Sequence, residues 1–120
     1  MDDIELAEAF VHVSHPASDG WKQVYSPKLN HLDVDLEVDM LMYKRGHAPI
    51  AVVHMATPYV SKQDLDVAKQ LRTLLQTRLN GREVKVLLVY REILARPQKI
   101  PPGISIMSII EGRNEMGSPN

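Results

Sequence analysis

Residues 32–43 read Leu-Asp-Val-Asp-Leu-Glu-Val-Asp-Met-Leu-Met-Tyr, and this stretch decides the fold class. Apolar residues recur at every second position from Leu32 to Met42, and acidic residues fill the intervening positions up to Asp39. A period of two is typical of a β-strand with one buried face and one polar face. The pattern therefore predicts a strand over residues 34–43, in which Val38, Met40 and Met42 share the buried face.

A turn and a second strand follow this alternating stretch. Residues 44–49, Lys-Arg-Gly-His-Ala-Pro, predict a turn, because Gly46 can adopt a positive φ without steric cost. Residues 50–53, Ile-Ala-Val-Val, are a continuous apolar run, which is typical of a strand covered on both faces. We expect residues 34–43 and 49–55 to pair as an antiparallel hairpin.

The next segment predicts a long amphipathic helix over residues 61–79. Ser61 is a favourable N-cap, and Asp64 stands three residues later, at the spacing of a capping box. An apolar stripe recurs in steps of three and four residues, with polar residues such as Arg72 on the wet faces. The stripe consists of Leu65, Ala68, Leu71, Leu75 and Leu79. Residues 84–90, Val-Lys-Val-Leu-Leu-Val-Tyr, predict a buried strand directly after the helix, which is typical of a right-handed α/β crossover.

The flanking segments carry weaker patterns. Residues 3–13 have helical spacing, residues 14–20 are rich in turn-forming residues, and residues 21–25 and 104–110 predict two more strands. The polar residues 111–120 are expected to form a frayed tail. Together these segments predict one α/β domain over residues 1–120, with a mixed β-sheet around a central hairpin.

Composition narrows the classes of function. The 120 residues include 14 Lys or Arg and 15 Asp or Glu, so the net charge of −1 argues against a strongly electrostatic hold on nucleic acid but leaves room for a local basic patch. The chain has no cysteine, which excludes disulfides and thiolate chemistry. No leader peptide or membrane-spanning stretch is visible, so we expect a cytoplasmic protein without a membrane partner.

Two short stretches carry a candidate site. Asp39 lies in Val-Asp-Met-Leu-Met-Tyr at residues 38–43, and the apolar run at 50–53 leads into His54, Met55 and Ala56. The order of elements over about residues 21–90 resembles the core of the restriction-endonuclease-like superfamily. Its motif is Pro-Asp, then Asp or Glu, any residue, and Lys. The resemblance implies an Asp on the second core strand, matched by Asp39, and an acidic residue and a Lys on the third, where this chain has His54 and Ala56.

The resemblance also implies a divalent metal, Mg²⁺ or Mn²⁺, held by Asp39 and His54 as catalytic and metal-binding residues. Such a metal polarises phosphate and activates water, while the motif lysine adds positive charge. An imidazole at position 54 suits Zn²⁺, Ni²⁺ or Mn²⁺ better than Mg²⁺. Groups from neighbouring elements are candidates to replace the missing residues, namely the carboxylates of Glu5 and Glu8 and the amines of Lys44, Lys62 and Lys69.

A structural alternative exists for both site residues. Asp39 shares its strand face with Asp33, Asp35 and Glu37, so a solvated acidic stripe accounts for it equally well. His54 ends an apolar run, where a histidine commonly has a structural, hydrogen-bonded role.

Three hypotheses of function follow from these alternatives. The first is a nuclease-like domain with a degraded active site, associated with nucleic acid or acting as a regulatory subunit. The second is a structural or protein-interaction domain, as a homo-oligomer or with a protein partner. The third is a metal-dependent nuclease whose catalytic residues have migrated. We favour the first hypothesis, in which the protein is not an active enzyme.

Overall fold

The structure is a computed structural model that describes residues 17–25, 38–79, 81–97, 99–110 and 113–116. Its elements follow the chain as strands, one long helix, and strands again, with a short 3-10 turn at Ala17–Asp19 before the first strand. The strands are β1 (Lys22–Tyr25), β2 (Met40–Tyr43), β3 (Ile50–Met55), β4 (Lys85–Tyr90), β5 (Ile104–Ser108) and β6 (Arg113–Met116), and the helix α1 is Lys62–Arg78. The predicted helix over residues 3–13 lies outside the described residues.

All six described strands form one mixed sheet in the order β1-β2-β3-β4-β5-β6. The first three strands are antiparallel neighbours, which confirms the predicted hairpin of β2 and β3. The chain then crosses over through α1, so that β4 runs parallel to β3 and β5 runs parallel to β4. An α/β fold with a mixed sheet is therefore confirmed. The three parallel strands β3, β4 and β5 end on the same side of the sheet, which we call its carboxyl end. We call the side where these strands begin its amino end.

Helix α1 begins and ends where its local sequence predicts. The Ser61 side chain accepts from the Asp64 backbone N–H at 3.0 Å, and the Asp64 carboxylate accepts from the Ser61 N–H at 3.4 Å. This reciprocal capping box satisfies two backbone donors that a helix start otherwise leaves unpaired. The apolar stripe is buried at Leu65, Ala68, Leu71 and Leu75 and half-buried at Leu79. The stripe packs α1 over β4 and β5.

The sheet has an apolar core on each face. On the α1 side, Ala51, Val53, Leu88 and Ile106 lie in a large buried cluster with the helix stripe. On the other side, the buried residues are Met40, Met42, Val52, Leu87, Val89 and Met107. Burial on both faces explains the continuous apolar runs within β3 and β4, because successive side chains of these runs enter one core or the other.

The predicted alternation of β2 is wrong at Val38. Met40 and Met42 pack on the face away from α1, whereas Val38 belongs to the core on the α1 side. The strand begins only at Met40, and the backbone just before it is irregular, so the period of two does not extend to residue 38. The remainder of the predicted strand, residues 34–37, lies outside the described residues.

The chain after β5 also differs from expectation. Residues 111–120 were expected to form a frayed tail, but four of them, Arg113–Met116, pair antiparallel with β5. The β5 strand ends at Ser108, and residues 109–110 form a turn instead of the end of that strand. Hydrophobic periodicity does not predict β6, because its residues are mostly polar. An edge strand can pair through backbone hydrogen bonds without an apolar face.

The sequence predicts that Arg72 lies on a solvated face of the helix, and this prediction is wrong. Its Nε donates to the Val84 carbonyl at 2.7 Å, and its guanidinium approaches the Glu83 carboxylate at 3.7 Å. The same guanidinium packs against Gly103, which has φ +79°, so that a side chain at residue 103 would collide with it. Arg72 thus joins α1 to the start of β4 and to the turn before β5.

Candidate functional site

Asp39 and His54 are brought together near the carboxyl end of β3. The Asp39 backbone N–H donates to the Val52 carbonyl at 2.9 Å, immediately before β2 begins. The Asp39 Oδ2 accepts a hydrogen bond from the backbone N–H of His54 at 2.6 Å. Asp39 is half-buried, and its carboxylate is a hydrogen-bond acceptor between two parts of the sheet. The other members of the predicted acidic stripe, Asp33, Asp35 and Glu37, lie outside the described residues.

The imidazole of His54 follows the alternation of β3. Val53 and Met55 pack on the α1 side, so residue 54 faces the opposite side of the sheet, where Val52 lies in the second core. Its Nε2 is buried and has no hydrogen-bond partner in the described part of the chain. The contact between His54 and Asp39 therefore runs through the backbone N–H of His54.

Position 56, where the motif resemblance places a lysine, is an exposed alanine at the rim of an open cleft. The cleft measures about 200 Å³ and lies at the carboxyl ends of β3 and β4. Its lining consists of Met55, Ala56, Thr57, Pro58, Arg91 and Glu92. Ligands of α/β proteins commonly bind outside the carboxyl ends of parallel strands. Arg91 and Glu92 directly follow β4, so they lie at this end of the sheet beside the residues that follow β3. Their position after a predicted buried strand is the sequence feature that could have identified them as cleft residues.

A buried tyrosine lies at the same end of the sheet. Tyr90, the last residue of β4, is fully buried, and its hydroxyl approaches Asp64 without forming a hydrogen bond of standard geometry within the described residues. Burial, together with the nearby Asp64 carboxylate, raises the pKa of the Tyr90 hydroxyl well above its ordinary value. Tyr90 therefore keeps its proton over the whole physiological range and offers no base.

The described residues do not fit the metal that the resemblance implies. One carboxylate oxygen of Asp39 is occupied by the His54 N–H, the Nε2 of His54 is buried, and Ala56 contributes no polar atom. No group of three or more His, Cys, Asp or Glu side chains in the described ranges converges on a point that could hold a cation. A hard divalent ion needs several oxygen ligands, which these residues do not supply.

The candidate replacement groups are dispersed. The turn residue Lys44 lies at the amino end, where its Nζ is 5.9 Å from the ring centroid of Trp21. With about 3.3 Å of rise per residue, β3 separates that end from His54 by roughly 13 Å, so Lys44 cannot serve as a migrated lysine. Lys62 and Lys69 are exposed on α1, which packs on the face opposite the His54 side chain. Glu5 and Glu8 lie outside the described residues.

We compared the chain with models of protein families, with curated proteins and with solved structures, and found no match in any of the three comparisons. Within the part of the chain that the structure describes, α1 is too short and too polar to span a lipid bilayer.

Proposed function

We propose that this protein is a nuclease-like domain with a degraded active site that associates with nucleic acid as a binding or regulatory component. The observation that carries this proposal is the hydrogen bond of 2.6 Å between the Asp39 carboxylate and the His54 N–H. It brings the two acidic positions of the motif side by side at the end of a central strand. One of those positions holds a histidine, and the carboxylate at the other has a structural partner.

The order and pairing of the elements support the relationship to nucleases. Three antiparallel strands are followed by a crossover helix and by a strand parallel to the third. That order is the one on which the resemblance rests, whereas Asp39 lies one residue before the second strand and not on it. A restriction-endonuclease-like core is thus our proposal for the origin of the fold.

The chemistry of the site supports loss of catalysis. Metal-dependent cleavage of a phosphodiester requires a cation held by several ligands and a charged group near the phosphate. The described residues supply neither at positions 54 and 56. Losing one preorganised group of this kind typically lowers the rate by about 10²–10³, and two are absent here.

The experiment combines binding and cleavage on the same substrates. Purified protein is incubated with labelled single-stranded DNA, duplex DNA and RNA, in EDTA, in Mg²⁺ and in Mn²⁺. We expect a shift in fluorescence anisotropy with at least one substrate in EDTA and intact strands under every condition. Cleavage that disappears in Asp39→Ala would establish the migrated-site nuclease instead. The absence of binding to all three substrates at low salt would overturn the proposal.

A second candidate, a protein-interaction domain, is favoured by exposed apolar side chains at the carboxyl end. Tyr59, Leu94 and Ile110 are 56%, 62% and 61% exposed. The backbone brings their segments together, because Leu94 N–H donates to the Pro58 carbonyl at 2.8 Å and Ile110 N–H donates to the Arg91 carbonyl at 2.9 Å. Self-association through these residues predicts a dimer in light scattering that dissociates in Leu94→Ser/Ile110→Ser. A wild-type monomer at high concentration contradicts it.

A further inference from the structure

Basic residues predominate at one end of the sheet among the described residues, although the whole chain is nearly neutral. We call the amino end the basic end. Besides Arg72, it carries six basic side chains, namely Lys22, Lys44, Arg45, Arg78, Arg82 and Lys85. The acidic residues described there are Asp19 and Glu83, and Glu83 has Arg72 at 3.7 Å. The carboxyl end is mixed, with Asp39, Asp64, Asp66 and Glu92 against Lys62, Arg91 and Arg96.

Strand register brings the basic end together from four separate parts of the sequence. Lys22 is the partner of Tyr43 across β1 and β2, on the α1 face of the sheet. Lys85 is the partner of Ile50 across β3 and β4, on the other face at the same end. The turn that contains Arg45 joins β2 to β3 at this same end. The crossover also returns the chain here, so that the last turn of α1 and the loop before β4 contribute Arg78 and Arg82.

An exposed aromatic ring lies within this surface. Tyr43, the last residue of β2, is 41% exposed. It lies on the α1 side of the sheet, where α1 itself packs over β4 and β5. Directly opposed residues on antiparallel strands share one face, which places the exposed Lys22 side chain beside the ring of Tyr43.

The adjoining turn is held by further contacts. The Trp21 and His47 rings are 5.6 Å apart between centroids, with an angle of 54° between their planes. The Nζ of Lys44 lies 5.9 Å from the Trp21 ring centroid. These contacts pack the turn against the residue that precedes β1, so Lys44 and Arg45 are carried on a turn that contacts the rest of the fold.

We propose that the basic end binds single-stranded nucleic acid, with Lys22, Arg45 and their neighbours along the phosphates and Tyr43 stacking on a base. A positively charged track combined with an exposed aromatic ring is the recognition mode of proteins that hold single strands without sequence preference. A single strand uses both features at once, because its phosphates need the cations and its unpaired bases can stack on the ring. An acidic protein would use the charge alone, and an anionic membrane is distinguished by the vesicle measurement below. This inference rests on the proposed function and locates its binding surface away from Asp39 and His54.

The test measures binding of a fluorescein-labelled single-stranded oligonucleotide by anisotropy over a series of salt concentrations. The variant Lys22→Gln/Arg45→Gln removes two phosphate contacts, so we expect the slope of log K against log salt to fall by about 1.4. The matched control Lys62→Gln/Lys69→Gln removes the same charge from α1 and should leave the slope unchanged. Circular dichroism and melting temperatures establish that each variant is folded.

The ring is tested separately. Tyr43→Ala should weaken binding of the single strand by about tenfold without changing the salt slope, because stacking is not an ionic contact. Tyr43→Phe retains the ring and should bind like wild type. Neither substitution should alter binding to duplex DNA, whose bases are already stacked in pairs.

The other outcomes separate the two proposals. If wild type binds the oligonucleotide but both charge variants weaken it equally, the inference is wrong while the proposed function stands. If wild type binds no nucleic acid, the proposed function fails. Binding to vesicles containing phosphatidylserine that is lost in Lys22→Gln/Arg45→Gln, without binding to the oligonucleotide, would identify a membrane surface and overturn the inference.

Discussion

At the scale of single residues, the Asp39 carboxylate has a structural task. It accepts the backbone N–H of His54 at 2.6 Å in a half-buried position. Asp39→Ala leaves that donor without a partner, and we expect a loss of about 1–3 kcal/mol in the free energy of unfolding. Asp39→Asn retains an oxygen acceptor and should lose less. Urea denaturation of the three proteins measures the difference, and an Asp39→Ala variant as stable as wild type would exclude this role.

Tyr90 makes stability depend on alkaline pH. Its pKa is raised in the folded state by burial and by the nearby Asp64 carboxylate. The folded protein therefore holds the phenolic proton more tightly than the unfolded chain, whose tyrosine has an ordinary pKa of about 10. The resulting stabilisation is complete below pH 10 and is lost as the pH rises beyond it.

Tyr90→Phe removes this titration. We expect the free energy of unfolding of the variant, relative to wild type, to be constant between pH 7 and 9. Above pH 10 it should rise by at most about 1.4 kcal/mol per pH unit. Urea denaturation at pH 8 and pH 11 tests this, with Tyr59→Phe at an exposed position as the control. If the free energy of unfolding fell equally between pH 8 and pH 11 in wild type and in Tyr90→Phe, the role of Tyr90 in this pH dependence would be excluded.

At the scale of elements, the packing of α1 on the sheet stabilises the core on that face. Leu71 is fully buried between α1 and the sheet. Leu71→Ala deletes three carbon atoms from a closed core and leaves a cavity, so we expect a loss of about 2–5 kcal/mol. Leu74 on the same helix is only half-buried, and Leu74→Ala should lose clearly less. Chemical denaturation that ranks the two variants in the opposite order would refute this packing.

At the scale of the whole molecule, we expect Asp39 and His54 to give no metal-dependent stabilisation. A ligand that binds only the folded state at a concentration of 100 Kd adds about 2.7 kcal/mol to its free energy of unfolding. The described residues offer no cluster of metal ligands, and the His54 Nε2 is buried. We therefore expect equal melting temperatures in EDTA, Mg²⁺, Mn²⁺ and Zn²⁺. A rise with Mn²⁺ or Zn²⁺ that is abolished by His54→Ala would show that a metal site exists.

Local sequence was sufficient to predict most of the elements. The helix was predicted from the cap at Ser61 and the stripe through Leu71, and the hairpin from a polar turn between two apolar runs. These signals are local, because caps, turns and periodicity depend on residues a few positions apart. Residues whose partners are distant were misjudged for the same reason. Val38 faces the other core, Arg72 binds the Val84 carbonyl, and Arg113–Met116 pair with β5.

The properties of the candidate site also differ in whether local sequence or tertiary structure determined them. The sequence by itself determined that positions 54 and 56 lack Glu and Lys, and it predicted Asp39 within a strand that begins only at Met40. Only the tertiary structure decided that Asp39 contacts the backbone of His54 and that Lys44 lies at the other end of the sheet. It also decided that six cations from separate parts of the sequence lie at the amino end of the sheet in a nearly neutral chain. The physical reason is that strand register and the return of the crossover set these distances, and both depend on pairing between residues far apart in the chain.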